Sequence, residues 1–241
     1  MAWRGEGTMA RSTPVQLVEK AVQSFEQESR RHRRVPTSHP RVITISRQLG
    51  SGGRRIAQQL GEKLGWPVWD REILDLVADQ STMRYQARMF EALDEKAQSS
   101  ISALADSLLG SVDRNVYLHL LPRAILIIAQ NDGIVLGRGS HLLLPSALRV
   151  RVVAPLDTRV RNLMQYEGIT EETARRRMLV SDQERESFIR HLASQLRPRP
   201  AAGDLESHYD LVINTDTFGI EGSANMILEA ADMKLEMRAV A

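Results

Sequence analysis

Cations and glycines are the residues whose types and spacing in this chain could do chemistry, because cysteine is absent and arginine outnumbers lysine 28 to 4. The densest group is Arg47, Gln48, Gly50, Ser51, Gly52, Gly53 and Arg54. Glycines at that density permit a tight turn whose backbone N–H groups converge on an anion, and the start of a following helix adds unpaired N–H groups and a partial positive charge. The chemistry this suits is phosphate binding. Set against the phosphate-loop pattern G-x-x-x-x-G-K-[ST], the first glycine is Arg47 and the second is Gly52. The lysine position holds Gly53 and the Ser/Thr position holds Arg54. A glycine turn between strand and helix also serves plain close packing, and that reading stands beside the first.

The missing lysine narrows the search for a compensating charge. Lys63 lies too far along, about 15 Å down a helix at ~1.5 Å per residue. Arg54 or Arg55 has the reach, and Arg54 is the expected replacement. Three more arginines are candidates for charge neutralisation. Arg138 directly follows the expected strand Gly133–Gly137. Arg185 projects, at about 100° per residue, into the middle of the apolar arc made by Ala174, Met178, Phe188, Ile189, Leu192 and Leu196, with Asp182 at its edge. A guanidinium there needs an anion, either a bound phosphate or an internal carboxylate such as Asp182 or Glu186. Of Arg159 and Arg161, one is expected to face the site and the other solvent. Asp70 closes a short strand and is a polar candidate for acceptor binding. His141 has no second histidine at metal spacing and reads as structural.

These residues need elements to hold them at one end of a sheet. Val42–Ile45, Trp66–Trp69, Gly133–Gly137, Leu148–Val153 and Tyr209–Ile213 read as five strands, bounded by glycine, proline and aspartate. Helical periodicity follows the first strand (Ile56, Leu60, Leu64, with Gly65 as stop). It fills residues 71–131, with breaks expected near Ser81–Thr82, Gln98–Ser100 and Gly110–Asn115. It resumes before and after Thr170, which caps a helix carrying Glu171 and Glu172 in its first turn, and a helix from Ile220 to Met237 closes the chain. Strands alternating with helices predict a three-layer α/β/α fold with a doubly wound parallel sheet, whose ligands bind at the strand C-terminal ends. Ser46–Gly53, Asp70, Arg138 and Asn214–Thr215 all fall at such ends.

Composition sets outer limits. A length of 241 residues with 42% hydrophobic content suits one sizeable core with an appendage. No cysteine excludes disulfides and thiolate metal sites and fits an intracellular, cytoplasmic address. No apolar run spans ~20 residues, so no membrane helix is expected, and the N-terminus lacks a signal peptide's apolar region. Residues 1–40 are expected to form a basic, partly helical extension to the domain over 41–241, with a helix from Pro14 to about Arg31 and a Pro-bounded linker over 35–40, dispensable for nucleotide binding. Up to Arg41 the chain carries 8 Arg/Lys against 4 Glu, and the remainder carries 24 against 26. The basic run Arg30–Arg34 reads as a solvated arm, so nucleic acid is an unlikely partner.

With these pieces placed, the chain resembles the cytidylate kinase-like family, a branch of the P-loop nucleoside monophosphate kinases. The resemblance runs from about Val42 to Leu235. It is carried by Ile45–Arg54, Asp70–Ile73, Asp94–Lys96, Val135–Gly139, Asp182 with Arg185, and Tyr209–Thr215. It implies strand order 2-3-1-4-5, a helical acceptor-binding insert over 71–131 and an arginine-bearing lid over 159–195. It implies transfer of the ATP γ-phosphoryl to a nucleoside monophosphate such as CMP or dCMP. Arg54, Arg138, Arg159 and Arg185 would act on the transferred group, with Asp70, Arg138 and Asp182 on the acceptor side. Mg²⁺ is implied as cofactor, although no residue stands out as its ligand. Cytidylate kinases carry lysine where Gly53 stands and aspartate where Gly139 stands. A nucleotide-binding pseudokinase is the alternative.

Overall fold

The β-branched runs become five strands: β1 (Val42–Arg47), β2 (Val68–Trp69), β3 (Gly133–Leu136), β4 (Leu148–Val153) and β5 (Leu211–Asn214). They form one sheet in the order β2-β3-β1-β4-β5, with every recorded pairing parallel. The structure, a computed structural model, describes residues 13–34, 40–108, 116–196 and 208–239. The first twelve residues, most of the expected linker, the expected break at Gly110–Asn115 and the loop of Pro198 and Pro200 lie outside the described residues.

Side-chain alternation along the strands assigns the two faces. Ile43, Ile45, Ile134, Leu136, Leu148, Val150 and Val152 point to one side, where Ile56, Ala57 and Leu60 of α2 (Gly53–Leu64) meet Ala224, Ile227 and Ala231 of α10 (Thr215–Ala239). Val42 and Val135 point to the other. That face is covered by α1 (Pro14–Arg34), α3 (Arg71–Val77), α4 (Met83–Ala92), α6 (Val116–Ile128) and the short α7 (Ser140–Leu143) through Phe25, Leu74, Met89, Ile125 and Leu143. Both faces are apolar because helices cover both. A smaller cluster of Val160, Leu163, Ala174 and Met178 joins α8 (Leu156–Glu167) to α9 (Glu171–Gln195). This is the three-layer α/β arrangement expected from the sequence, in the expected strand order.

Details depart from the expectation in instructive ways. α1 is not a free arm: Val18, Val22 and Phe25 belong to the principal core, Arg88 pairs with Glu19 and Glu26, and the buried Asn131 amide donates to Phe25 O and Ser29 Oγ. The helix of the extension therefore packs as part of the core. The break expected at Gln98–Ser100 falls instead at Leu93–Asp94, and α5 (Glu95–Leu108) runs through. Asp94 accepts from Ala97 N at 2.8 Å, a capping bond that starts α5, while Gln98 Nε2 reaches back to Phe90 O and Leu93 O to close the corner. α9 is likewise continuous past Ser181, so the helical projection of Arg185 applies along it. Within α10, Gly219 leaves the helical region at φ 63°, and the regular helix proceeds from Ile220 as expected.

Candidate functional site

Between β1 and α2 the chain turns through Gln48–Gly52, with Gly50 and Gly52 both at φ 81°. Both conformations favour glycine, and at Gly50 a β-carbon would also lie 2.6 Å from the backbone Arg159 O. The loop is braced from outside. Ser51 Oγ donates to Gln48 O and Val152 O, Thr215 Oγ1 donates to Ser51 O, and Asn162 Nδ2 donates to Gly50 O. Gln48 Oε1 accepts from Ala154 N. The N–H groups of Gly50, Gly52 and Gly53 enter no backbone hydrogen bond, as the entry to a helix permits. Rigid carbonyl-side bracing with free amides is the construction an anion cradle needs.

Beside the root of this loop lies a cavity of about 590 Å³, bounded by Ser46 and Arg47 from β1, Gln48 at the start of the turn, Arg138 after β3, and α9 through Asp182, Arg185 and Phe188. Arg138 and Arg185, 47 residues apart in sequence, therefore line one cleft. Arg138 sits at φ 55° between Gly137 and Gly139, also at positive φ, a conformation uncommon for a side-chain-bearing residue. It is held by an ion pair to Asp75 and stands over the rings of Tyr117 and Phe188. Tyr117 donates to the second Asp75 oxygen at 2.6 Å; burial first, then that bond, pushes its hydroxyl pKa up. Arg185 Nη1 donates to Arg47 O at 2.7 Å, and burial lowers its pKa. Neither internal carboxylate foreseen for Arg185, Asp182 or Glu186, takes a hydrogen bond from it.

Arg47 is the most perturbed of these cations. Burial, followed by the neighbouring Arg185 charge, pushes it down to about 9. Its hydrogen bond goes to Leu136 O at 3.2 Å. A half-buried guanidinium beside other guanidinium groups, with Asp70 the one carboxylate acting on it and one recorded hydrogen bond, to a carbonyl, favours an anion beside it.

Other candidates take different places. Arg54 donates to Asp70 at 2.8 Å and approaches Glu72 at 3.4 Å, and the cavity lining stops at Gln48, short of Arg54 and of the glycines before it. Its position on α2 points it outward toward α3. Asp70 meanwhile caps α3, accepting from Glu72 N and Ile73 N. Arg159 is buried and clamps the loop, donating to Leu49 O at 2.7 Å and to Asp182 Oδ2 at 2.6 Å. Arg161 is the exposed member of that pair. Arg55 lies over the Tyr166 ring rather than free in solvent.

Arg47, named from the sequence among the phosphate-binding candidates, ends β1 half-buried at the cavity. Sequence reasoning left His141 without a role. That ring is buried, stacks on Tyr209 with centroids 4.7 Å apart, and lies 3.3 Å from both Ser46 Oγ and Tyr209 Oη. Burial pushes it down to about 3, so it is neutral and bridges two hydroxyls at the cavity wall.

The residues present suit a triphosphate better than a protein-held metal. Open amides and unbalanced guanidinium groups fit phosphate oxygens. For Mg²⁺, the position of the hydroxyl ligand is the cation Arg54, Ser51 Oγ is turned to backbone carbonyls, and the described residues contain no cluster of three or more His, Asp or Glu able to hold a metal. Among the described residues no Mg²⁺ cage made by the protein alone is present, and a Mg²⁺ here would be held largely by the triphosphate and water. Among the described residues no helix is long and apolar enough to cross a membrane.

Against this geometry, similar proteins are informative. An uncharacterised protein from Eubacterium ventriosum shares the fold, with a TM-score of 0.54 and 22% identity over 80% of this chain and 98% of its own. A cytidylate kinase from Methanobrevibacter smithii is 26% identical over 188 residues, covering 78% of this chain and 96% of that protein. A uronate isomerase from Corynebacterium glutamicum is 31% identical over 110 residues, or 44% of this chain, but the match spans only 20% of that protein's length. The family model described as the cytidylate kinase-like family matches residues 42–217, from the first strand to the start of the closing helix. By that match over most of its length, the chain belongs to the cytidylate kinase-like family.

Proposed function

We propose that this protein is a phosphotransferase that moves the γ-phosphoryl group of ATP to a nucleoside monophosphate, with CMP or dCMP first among acceptors, or to a related small phosphorylated acceptor. The observation that carries this reading is the cavity where Arg47, Arg138 and Arg185 meet beside the glycine loop. Family membership and the name of the Methanobrevibacter smithii relative support a nucleotide kinase-like activity.

In the proposed reaction an acceptor oxygen forms a bond to the γ-phosphorus as the β–γ bridging bond breaks, and ADP leaves with the bonding pair. Such transfer depends on positioning and charge neutralisation rather than covalent help from the protein. The free amides of Gly50, Gly52 and Gly53 would hold the donor phosphates. Arg138, fixed by Asp75 and the two rings, would orient the acceptor phosphate. Arg185, delivered by the lid helix, would meet charge that develops on the transferred group. Magnesium would arrive with the triphosphate, held by its oxygens and water, and no step is assigned to it.

Gly139 bears on the acceptor. A β-carbon there would fall on Leu192 Cδ2, so the lid packs where cytidylate kinases place an aspartate, and base choice must rest on other residues. A second reading, a nucleotide-binding pseudokinase in the cytoplasm, is favoured by Gly53 in the lysine position and by the engagement of Arg54 with Asp70. A coupled ADP-release assay of the full chain against nucleoside monophosphates and small phosphorylated acceptors separates the two. Release above buffer with one acceptor class supports the kinase. No release, with ATP still raising the melting temperature, supports the pseudokinase. Neither release nor thermal shift overturns both.

A further inference from the structure

Two glycines near the cavity share one neighbour. A β-carbon on Gly53 would stand 2.6 Å from Arg47 Cβ and 3.1 Å from its Cγ. A β-carbon on Gly137 would fall on Arg47 Nη1. The Arg47 side chain therefore runs from the end of β1 across Gly53 and ends over Gly137, filling the space that side chains at both positions would need. Gly53 is at an ordinary helical conformation, unlike Gly50 and Gly52, so backbone freedom does not explain its identity.

The alignment with the phosphate-loop pattern gives this contact a meaning. Arg47 occupies the first-glycine position and Gly53 the lysine position. The two positions face each other with room for one side chain. In the usual pattern glycine leaves the space and lysine fills it from the helix. Here glycine leaves the space on the helix and arginine fills it from the strand. We propose that Arg47 is the phosphate-binding cation of this chain, its charge delivered from β1 in exchange for the lysine that Gly53 lacks. This rests on the nucleotide-site reading above and deepens it. The guanidinium lines the cavity, and its one recorded hydrogen bond among the described residues runs from Nη1 to Leu136 O, which leaves further donors able to meet a ligand. Arg185, on the Arg47 carbonyl, ties the lid to the same residue. The lowered pKa of Arg47, from burial first and then Arg185, agrees with a site awaiting negative charge.

Exchange makes a demand that a simple charge requirement does not. Because the closest approach involves Arg47 Cβ, alanine at 47 keeps the clash with any side chain at 53, and only glycine removes it. The test compares Gly53→Lys, R47A/G53K, R47G/G53K and Arg47→Gln in the full chain, by calorimetric titration with ATP, ADP release and thermal melting. Gly53→Lys and R47A/G53K should lose ATP affinity tenfold or more, roughly, and melt lower, as overpacked sites do. R47G/G53K should regain affinity to within about threefold of the parent, a difference too small to reflect a lost charge contact. Arg47→Gln, which keeps the stem and loses the charge, should hold its melting temperature and lose roughly 10- to 100-fold in affinity, the scale of one hydrogen bond to a charged group. If R47A/G53K performs as well as R47G/G53K, or Arg47→Gln binds ATP like the parent, the exchange is refuted while the nucleotide site stands. If the parent neither binds ATP nor releases ADP, the nucleotide reading itself falls and takes the exchange with it.

Discussion

Removing α1 should unfold this protein rather than trim it. Val18 and Val22 are fully buried and Phe25 is 2% exposed, packed edge-on to Trp69 with ring centroids 6.3 Å apart. Burying each of these side chains is worth about 1.5–3 kcal/mol, so the helix supplies roughly 5–9 kcal/mol before the entropy of ordering it is subtracted. Its loss would also expose the apolar faces of α3 and α4 and leave the buried Asn131 amide without its Phe25 and Ser29 partners. Domain stabilities are about 5–15 kcal/mol, so the loss is comparable with the total. Phe25→Ala isolates the largest contact: about 3–5 kcal/mol by the usual cost of a deleted core aromatic, which at about 2–4 °C per kcal/mol for a chain this size lowers the melting temperature by roughly 6–20 °C. Val15→Ala on the exposed face of the same helix should stay within about 0.5 kcal/mol of the parent. The assay is thermal melting followed by circular dichroism. Deletion of residues 1–38 that leaves a cooperative melt within about 2 °C of the parent would refute the reasoning, since a loss of even 1 kcal/mol exceeds that shift.

Two further outcomes follow from the ion pairs and the lid. Burial opposes ionisation of Asp210, but hydrogen bonds from Arg149 at 2.8 Å and Lys234 at 2.6 Å hold its carboxyl down to about 2, below its ordinary 3.8. A depressed carboxylate stabilises above its ordinary pKa and loses that contribution as pH falls through the folded value. Asp210→Asn should therefore melt below the parent at pH 7 and converge with it toward pH 2, and a constant gap across that range would contradict the assignment. Arg185→Ala should lower kcat by about 10²–10³ while ATP affinity moves less than about threefold, because a lid cation that meets developing charge acts in the transition state. Equal losses in both would make Arg185 a ground-state ligand instead.

The fold was legible where periodicity and punctuation agreed. Val42–Ile45 is rich in β-branched residues and buried on both faces, Leu148–Val153 alternates buried apolar with half-buried positions, and their order follows once parallel crossovers are assumed. α1 was misjudged because its charge balance spoke for a tail. Its apolar stripe, Val18, Val22 and Phe25, was visible, but a stripe does not say which surface receives it. The α4–α5 corner moved because Asp94 is a stronger start signal than the serines after Gln98 are stop signals, and Ser102 turns its hydroxyl back onto Gln98 O within the continuous helix.

The site was legible in its loop, in Arg138 and in Arg185, whose types conflict with their local surroundings unless something anionic is near. It was illegible where two sequence-distant residues share one space. Pattern matching counted the arginine at 47 and the glycine at 53 as separate losses, and looked for compensation one or two residues onward at Arg54 and Arg55. Their proximity across the strand–helix turn makes them a single exchange, because Gly53 is too close to Arg47 Cβ to carry a side chain of its own. Gly139 and Leu192 repeat the same logic across the lid. A missing functional residue in a one-dimensional pattern is therefore weak grounds for calling a site decayed until the volume beside the glycine has been accounted for. Here that volume holds the half-buried side chain of Arg47, whose guanidinium lines the cavity, so the absence of a lysine at 53 argues for a rearranged charge and not for a lost one.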